Sequence, residues 1–313
     1  MSKYCFGADI GGTTVKLGWL TVEGELLDKW QIPTRKEDNG SHILPDIVAS
    51  VNEKIAEKNI DKSDVIGIGM CVPGPVDDKG TVYKAVNLGW DVFNVIDKMK
   101  EYTDLPVEVA NDANVAALGE MWKGTGSQNM VMVTLGTGIG GGVIINGKIV
   151  SGFTGAGGEI GHIHIDDNEQ EVCGCGNKGC LEQYGSATGI ARLANRRLAK
   201  DDKPSTLREH DALDAKIVFD AVKAGDEVAI EVAEQFGDIL GKGLAVIADV
   251  VNPEVFVIGG GVSAAGTVVL DYIEKYFKNY VFHGARDTKF SLAGVKNDAG
   301  VYGAAKLIID KVN

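Results

Sequence analysis

The 313-residue sequence has no long apolar run. Its most apolar stretch, Leu244 to Val262, is broken by Asp249, Asn252, Pro253 and Glu254. That falls well short of the ~18 clean apolar residues a membrane-spanning helix requires. A basic excess is also missing: 31 Lys and Arg stand against 44 Asp and Glu, a net charge of −13. A general nucleic-acid binder needs a basic face, so no nucleic-acid partner and no membrane are expected. The N-terminus lacks a basic-then-apolar signal pattern, because Asp9 interrupts it, and a cytoplasmic enzyme is the expectation. Without a signal peptide, the sequon Asn39-Gly40-Ser41 reads as a turn. Disorder is ruled out by a hydrophobic share of 44%, an ordinary globular balance. At roughly 100–200 residues per domain, the length favours two domains.

Cysteine is scarce, and its placement is informative. Cys5 and Cys71 lie in apolar strand-like runs and read as small core residues. Cys173, Cys175 and Cys180 crowd into Cys-Gly-Cys-Gly-Asn-Lys-Gly-Cys. Three thiols cannot all pair within one chain, and a cytosolic disulfide is disfavoured. Close thiols in a glycine-rich loop suit tetrahedral zinc with histidine as the fourth ligand. Two histidines lie upstream, His162 and His164.

Glycine is the residue in excess: 42 of 313, about twice the usual ~7%. The glycines cluster, which suggests loops where backbone approaches a ligand closely. Tyr4 to Ile10 reads as a buried strand, Gly11-Gly12-Thr13-Thr14 as a tight turn, and Val15 to Leu20 as a returning strand. Pro45 to Asn59 has helical apolar spacing, and Val65 to Val72 is an apolar strand ended by Pro73-Gly74-Pro75. Pro106 to Ala110 is a further strand, followed by a helix over Ala113 to Trp122 with Asn111 or Asp112 as its cap. In the second half, strand Val131 to Leu135, a turn over Gly136 to Gly142, strand Val143 to Ile145 and the hairpin signal Asn146-Gly147 repeat the opening pattern. A duplicated α/β domain with a cleft between the copies follows. Lys200 to Lys216 reads as a surface excursion, Glu227 to Val251 as a long helix with glycine interruptions, Glu254 to Ile258 as a strand leading into Gly259-Gly260-Gly261, and Val301 to Val312 as a terminal helix.

Two motif matches are decoys. Gly136 to Gly141 fits the dinucleotide pattern GxGxxG, but strand rather than helix follows it. Gly142 to Ile149 fits GxxxxGK, but Ile149 stands where a P-loop needs Ser or Thr. What remains is two Gly/Thr hairpin turns, each able to offer N–H and hydroxyl donors to phosphate oxygens. Asp9, at a strand end beside one turn, suits Mg²⁺ held through water against nucleotide phosphates, or a plain turn aspartate. Asp112 ends a strand where open α/β sheets place ligands. It could take the proton of a hydroxyl attacking a γ-phosphate, or be an ordinary helix cap.

These motifs occur together, in order: Asp9-Ile10-Gly11-Gly12-Thr13, Asn111-Asp112-Ala113-Asn114, Leu135-Gly136-Thr137-Gly138-Ile139-Gly140-Gly141-Gly142, Gly158-Glu159-Ile160-Gly161-His162, and the cysteine loop through Cys180-Leu181-Glu182. In this the chain resembles the ROK (repressor, ORF, kinase) family, and its bacterial glucokinases above all, from Lys3 to the final helix. The resemblance implies the α/β actin-like ATPase (ribonuclease H-like) fold, two duplicated α/β domains with an interdomain cleft that closes on sugar and ATP. Residues 1–118 plus 298–313 are then the small domain, and 119–297 the large domain with the zinc loop.

The resemblance also implies roles. Asp112 matches the base that deprotonates the sugar hydroxyl, and Asn111 its sugar-bonded neighbour. Glu159, His162 and Glu182 match the hydroxyl-binding set, with Gly74 approaching the sugar from its loop. Asp9, Gly11, Gly12, Thr13 and Thr14, with Gly136, Thr137 and Gly138, match the two phosphate loops. Gly259, Gly260 and Gly261 resemble the adenosine-side turn. His162 would give one ring nitrogen to a structural zinc, with Cys173, Cys175 and Cys180, and the other to a sugar hydroxyl. The Glu-x-x-His context favours His162 over His164, although the gap from His162 to Cys173 is one residue longer than the family's usual one.

The implied reaction is glycolytic transfer of phosphate from MgATP to the 6-hydroxyl of glucose. Rivals are a kinase for fructose, mannose or an N-acetylated hexosamine such as N-acetylmannosamine, polyphosphate as donor, and a sugar-sensing repressor or scaffold without catalysis. The first phosphate motif begins at residue 9, which leaves no room for the winged helix-turn-helix of the family's repressors. A homodimer or homotetramer is the family's habit.

Overall fold

The computed structural model describes residues 3–312; Met1, Ser2 and Asn313, at the outer ends of the expected small domain, lie outside the described residues. The chain divides into two compact units. Unit one holds the chain up to Gln128, Gly142–Gly158 and the segment from Gly294 on; unit two holds Asn129–Gly141 and Glu159–Ala293.

The first sheet is built from β1 (Tyr4–Ile10), β2 (Thr14–Thr21), β3 (Leu26–Pro33), β4 (Val65–Val72) and β7 (Val107–Asn111), in the order β3-β2-β1-β4-β7. A small hairpin of β5 (Thr81–Val82) and β6 (Phe93–Asn94) lies between β4 and β7 in the chain. β1 pairs antiparallel with β2, and β2 with β3, whereas β1–β4 and β4–β7 are parallel. The second sheet comprises β8 (Met130–Leu135), β9 (Ile139–Ile145), β10 (Lys148–Ile149), β11 (Val255–Gly259) and β12 (Lys289–Leu292), in the order β10-β9-β8-β11-β12. Here too β9–β10 is antiparallel, and β8–β11 and β11–β12 are parallel. The strand orders correspond position by position, so the repeat read from the two Gly/Thr turns is a repeat of the whole sheet. The expected turn over Gly136 to Gly142 is shorter than that reading: it closes by Gly138, and Gly140, Gly141 and Gly142 are strand residues of β9. Gly142 must be small there, because a Cβ would stand 2.6 Å from the Ala113 carbonyl oxygen.

In unit one the helices are α1 (Glu37–Gly40), α2 (Ile43–Glu57), α3 (Val95–Met99), α4 (Asp112–Glu120) and α10 (Ala299–Val312). α2 buries Ile43, Leu44, Ile47, Val48 and Val51, which share one core cluster with Phe6, Ile10, Leu17 and Ile68. Burying such side chains stabilises by about 1.5–3 kcal/mol each. Asn111 caps α4, its Oδ1 accepting from the Ala113 and Asn114 N–H groups at 3.0 and 3.1 Å. α4 ends at Glu120, two residues short of the expected Trp122, and a wide π turn over Met121–Thr125 leads to Gly126 in the left-handed region. α4 crosses α10 through glycines. A methyl on Gly303 would collide with the Val115 carbonyl oxygen, and one on Gly119 with that of Ala299. Cys5 and Cys71 are fully buried, as the sequence suggests, and burial pushes the Cys5 thiol up to about 12.

Unit two carries α5 (Glu182–Gly185), α6 (Ala187–Leu198), α7 (Ala215–Lys223), α8 (Glu227–Val251) and α9 (Val268–Tyr280). The glycines inside α8 mark its partner: a Cβ on Gly237 would lie 2.6 Å from Tyr272 O, and one on Gly241 2.7 Å from Phe277 N, both in α9. Phe256, Phe277 and Phe290 pack as a ring cluster, with centroids 5.1 to 5.8 Å apart. The excursion over Lys200 to Lys216 is tied down by Asp226, the cap of α8, which also accepts from Ser205 Oγ and the Thr206 N–H.

Candidate functional site

In unit one the candidate residues gather at the C-terminal ends of parallel strands, where open α/β sheets bind ligands. Asp9 pairs in register with Cys71, and Val72 with Asn111. Gly74 follows β4 with φ +96°, and its carbonyl accepts from Asn111 Nδ2 at 3.0 Å. The same amide donates to Asp112 Oδ1 at 3.1 Å, and the Ala113 N–H donates to that oxygen at 2.8 Å. Asn111 therefore caps the helix, holds the Gly74 loop and orients the Asp112 carboxylate.

Asp9 Oδ1 accepts from the Cys71 thiol at 3.2 Å, and Asp9 Oδ2 lies 3.5 Å from Lys16 Nζ. Burial raises the Cys71 thiol well above its usual range, and the charges of Asp9 and Asp112 add to it. The Gly11–Thr14 turn closes by a Gly11 N–H to Thr14 O bond of 3.0 Å. Thr34 braces it: its N–H bonds Thr13 O at 2.9 Å and its hydroxyl Gly11 O at 2.7 Å. Lys16 and Thr34 are absent from the sequence reading. A signal for Lys16 existed, since an Asp9–Lys16 hairpin closed by a Gly-Gly-Thr-Thr turn places those two residues opposite each other. Thr34 comes from β3 and has no local signal.

In unit two the Gly136–Gly138 turn follows β8, while Gly259 ends β11 and Gly260–Gly261 follow it, at matching ends of neighbouring strands: Gly259 pairs with Thr134. Gly260 has φ +80°, and a Cβ there would lie 2.5 Å from Leu135 O. The Gly136–Gly138 turn is held from α6, where the Ala187 N–H bonds Gly136 O at 2.8 Å and the Thr188 hydroxyl bonds Thr137 O at 2.6 Å. Thr188 is another residue the sequence does not announce. Glu182, the first residue of α5, accepts from the Ile139 N–H through Oε2 at 2.9 Å. Gly138 makes room for it, because a Cβ there would collide with the Glu182 carboxylate.

His162, Cys173, Cys175 and Cys180 converge, their donor atoms lying within 4.8 Å of one another. His162 Nδ1 is 3.7 Å from Cys173 Sγ, and Cys175 Sγ is 3.6 Å from Cys180 Sγ. Tetrahedral zinc with bonds of about 2.0–2.3 Å spaces its ligands roughly 3.5 Å apart, so the donor set fits that ion. Burial raises Cys173, and raises Cys180 to about 12; for exposed Cys175 the Asn177 N–H lowers the thiol. Among the described residues it is His162, and not His164, whose ring joins the three cysteines. Both ring nitrogens of His164 are engaged, Nδ1 with Lys178 O at 2.9 Å and Nε2 with Asp167 at 2.8 Å. The other nitrogen of His162, Nε2, lies 3.9 Å from Glu159 Oε2. Cys173 Sγ also lies 3.5 Å from Glu182 Oε1, so the cysteine cluster and the two glutamates adjoin.

The ROK family profile matches residues 5–311. A glucokinase of Halalkalibacterium halodurans is 45% identical over 99% of this chain and 96% of its own length. A ROK family glucokinase from Streptomyces griseus, solved in complex with glucose and AMPPNP, superposes with TM-score 0.73 at 34% identity, covering 97% of this chain and 98% of that one. A ROK hexokinase from Thermus thermophilus gives TM-score 0.82 at 28% identity, with 100% of both chains covered. With its duplicated sheets in the actin-like ATPase fold, the chain belongs to the ROK family.

Proposed function

We propose that this protein is an ATP-dependent glucokinase that phosphorylates the 6-hydroxyl of glucose, with Asp112 as general base. The observation that carries the reading is His162, which turns one ring nitrogen to the three cysteines and the other toward Glu159. A ligand histidine so placed has a fixed tautomer, and its outer N–H donates to a hydroxyl oxygen. Glu159 and Glu182 each offer two carboxyl oxygens that accept from sugar hydroxyls. The choice of glucose rests on the 45% identity to a glucokinase.

In the transfer step, Asp112 accepts the hydroxyl proton while the hydroxyl oxygen bonds to the γ-phosphorus of ATP and the bond to the β–γ bridging oxygen breaks. Asn111 fixes the rotation of that carboxylate. The Gly11–Thr14 and Gly136–Gly138 turns, each closed by the N–H of its first glycine, hold phosphate oxygens with their remaining N–H and hydroxyl donors, and Gly259 to Gly261 takes the adenosine side. Asp9 would hold Mg²⁺ through water, and that ion, when bound with ATP, neutralises phosphate charge. Zinc on His162, Cys173, Cys175 and Cys180 is structural and keeps the loop and the imidazole in place.

A grid of hexoses against phosphate donors tests the reading. Glucose with ATP should give the highest kcat/KM. A preference for fructose, mannose or N-acetylmannosamine, or for polyphosphate over ATP, would replace the assigned substrate or donor. Elemental analysis should find one zinc per chain, reduced in Cys175→Ser. Light scattering should find a homodimer or homotetramer.

A further inference from the structure

Ten residues separate His162 from Cys173, and that segment contains charges with no part in the site so far described. We infer that Glu169 is a positioning residue for the metal-ligand loop, its buried carboxylate locking the loop onto helix α6. The inference rests on the zinc reading given above.

The Glu169 side chain is only 1% exposed. Its two oxygens take both terminal nitrogens of Arg196, each at 3.0 Å, a fork-on-fork pair. Arg192 Nη2 lies 3.2 Å away, and the Tyr184 hydroxyl 2.7 Å. These three partners all belong to α5 and α6, whereas Glu169 belongs to the loop. The Tyr184 hydroxyl is also 2.6 Å from Asp166 Oδ2, three residues earlier in the same loop. Next to the cysteines, the Gln183 amide donates to Glu171 O at 3.0 Å, and its oxygen accepts from the Cys180 N–H at 3.1 Å. The N-terminus of α6 meanwhile holds the Gly136–Gly138 turn, so this helix is anchored at its other end.

Without such a lock, a metal ion would itself have to order a ten-residue loop, at a cost in chain entropy. With it, the loop stands ready and the ligands are pre-organised. Glu169 touches no ligand atom, so it acts through the loop. Its removal leaves Arg192 and Arg196 with less compensating charge, and of the two Arg192 is the more buried.

The test uses zinc-loaded full-length protein and follows zinc release to a chromogenic chelator, then KM and kcat for glucose. Glu169→Gln keeps the shape and removes the charge. Tyr184→Phe keeps the ring and removes the hydroxyl. Arg197→Gln is the control: Arg197 lies on the same helix, but its partners Glu231 and Asp201 are outside the metal loop. Outer-shell partners typically change metal affinity about 10–100-fold. Zinc release about tenfold faster is therefore expected for Glu169→Gln, with glucose KM raised more than kcat is lowered. Tyr184→Phe should show a smaller change in the same direction, and Arg197→Gln should match the wild type. If Glu169→Gln does not fold, Tyr184→Phe decides. Wild-type release rates in the folded variants, or equal acceleration in Arg197→Gln, overturn the inference while leaving the zinc reading intact. A wild-type protein that binds no zinc removes the zinc reading and this inference with it.

Discussion

At the scale of single residues, the pair Asn111 and Asp112 separates support from chemistry. Asn111 caps α4 with its oxygen and orients Asp112 with its amide. Asp112→Ala should therefore leave the helix start intact. Its kcat should fall by about 100-fold or more, as is typical for a lost general base, with glucose binding largely kept. Single-turnover rates and glucose titration of the folded variant check this; retained turnover would take the base role from Asp112. Gly138 offers the converse case. A Cβ there meets the end of the flexible Glu182 side chain, which can swing aside, so the fold should tolerate Gly138→Ala with little change in Tm. The Glu182 bond to the Ile139 N–H cannot persist. Glucose KM should rise about tenfold, equivalent to about 1.4 kcal/mol, and an unchanged KM would show that Glu182 does not bind sugar. Residues that repeat a motif were legible in the sequence. Lys16 was legible only through the register of the Asp9–Lys16 hairpin, and Thr34 and Thr188 were not legible, because each reaches its partner from another element.

At the scale of elements, glycine marks where helices touch. α4, which begins at Asp112, is pressed against α10 at Gly119 and Gly303. In Gly303→Ala the new methyl meets backbone, which cannot rotate away. Overpacking of this kind costs about 1–3 kcal/mol, so Tm should drop by several degrees, and a denaturant melt should lose midpoint in proportion. An unchanged melt would mean that the two helices are not in close contact. Reading the sequence found α4 behind its Asn111–Asp112 cap and α10 as a terminal helix from Val301, and placed α8 correctly from Glu227 to Val251. The purpose of the glycines in α8 could not be read locally, because α9 supplies the contact. The Gly136 to Gly142 segment misled for a related reason: a glycine run suggests a turn, but Gly140 to Gly142 are strand, and Gly142 is small because it lies against Ala113 and Ala117 of α4. The end of α4 misled too, since Met121-Trp122 continue the apolar pattern and only the backbone shows the π turn.

At the scale of the whole molecule, the duplication was legible because both copies repeat the same strand–turn–strand signal. The excursions of the chain between its two units, at Gly142–Gly158 and from Gly294 on, were not, since no change of composition marks them. Acidity is another whole-molecule property, with a net charge of −13, and it sets the response to pH. The Arg196 fork holds the Glu169 carboxyl far below the usual carboxylate range, against the opposing effect of burial. Burial would raise Asp226, but the N–H groups of Ala229 and Thr206, together with the Ser205 and Thr206 hydroxyls, outweigh it and leave the carboxyl low. A carboxylate whose folded pKa is depressed adds stability that is fully present above its unfolded value, about 4.3 for Glu. That stability drains away as pH falls toward the folded value. Glu169→Gln lacks the contribution at every pH. Its Tm should therefore lie below the wild type at pH 7, and the gap should hold down to about pH 5 and narrow from there toward pH 3. Melts of both proteins across that range provide the check. A gap that stays constant to pH 3, or widens, would mean that the pairing of buried Glu169 with Arg196 is not what the folded state loses in acid.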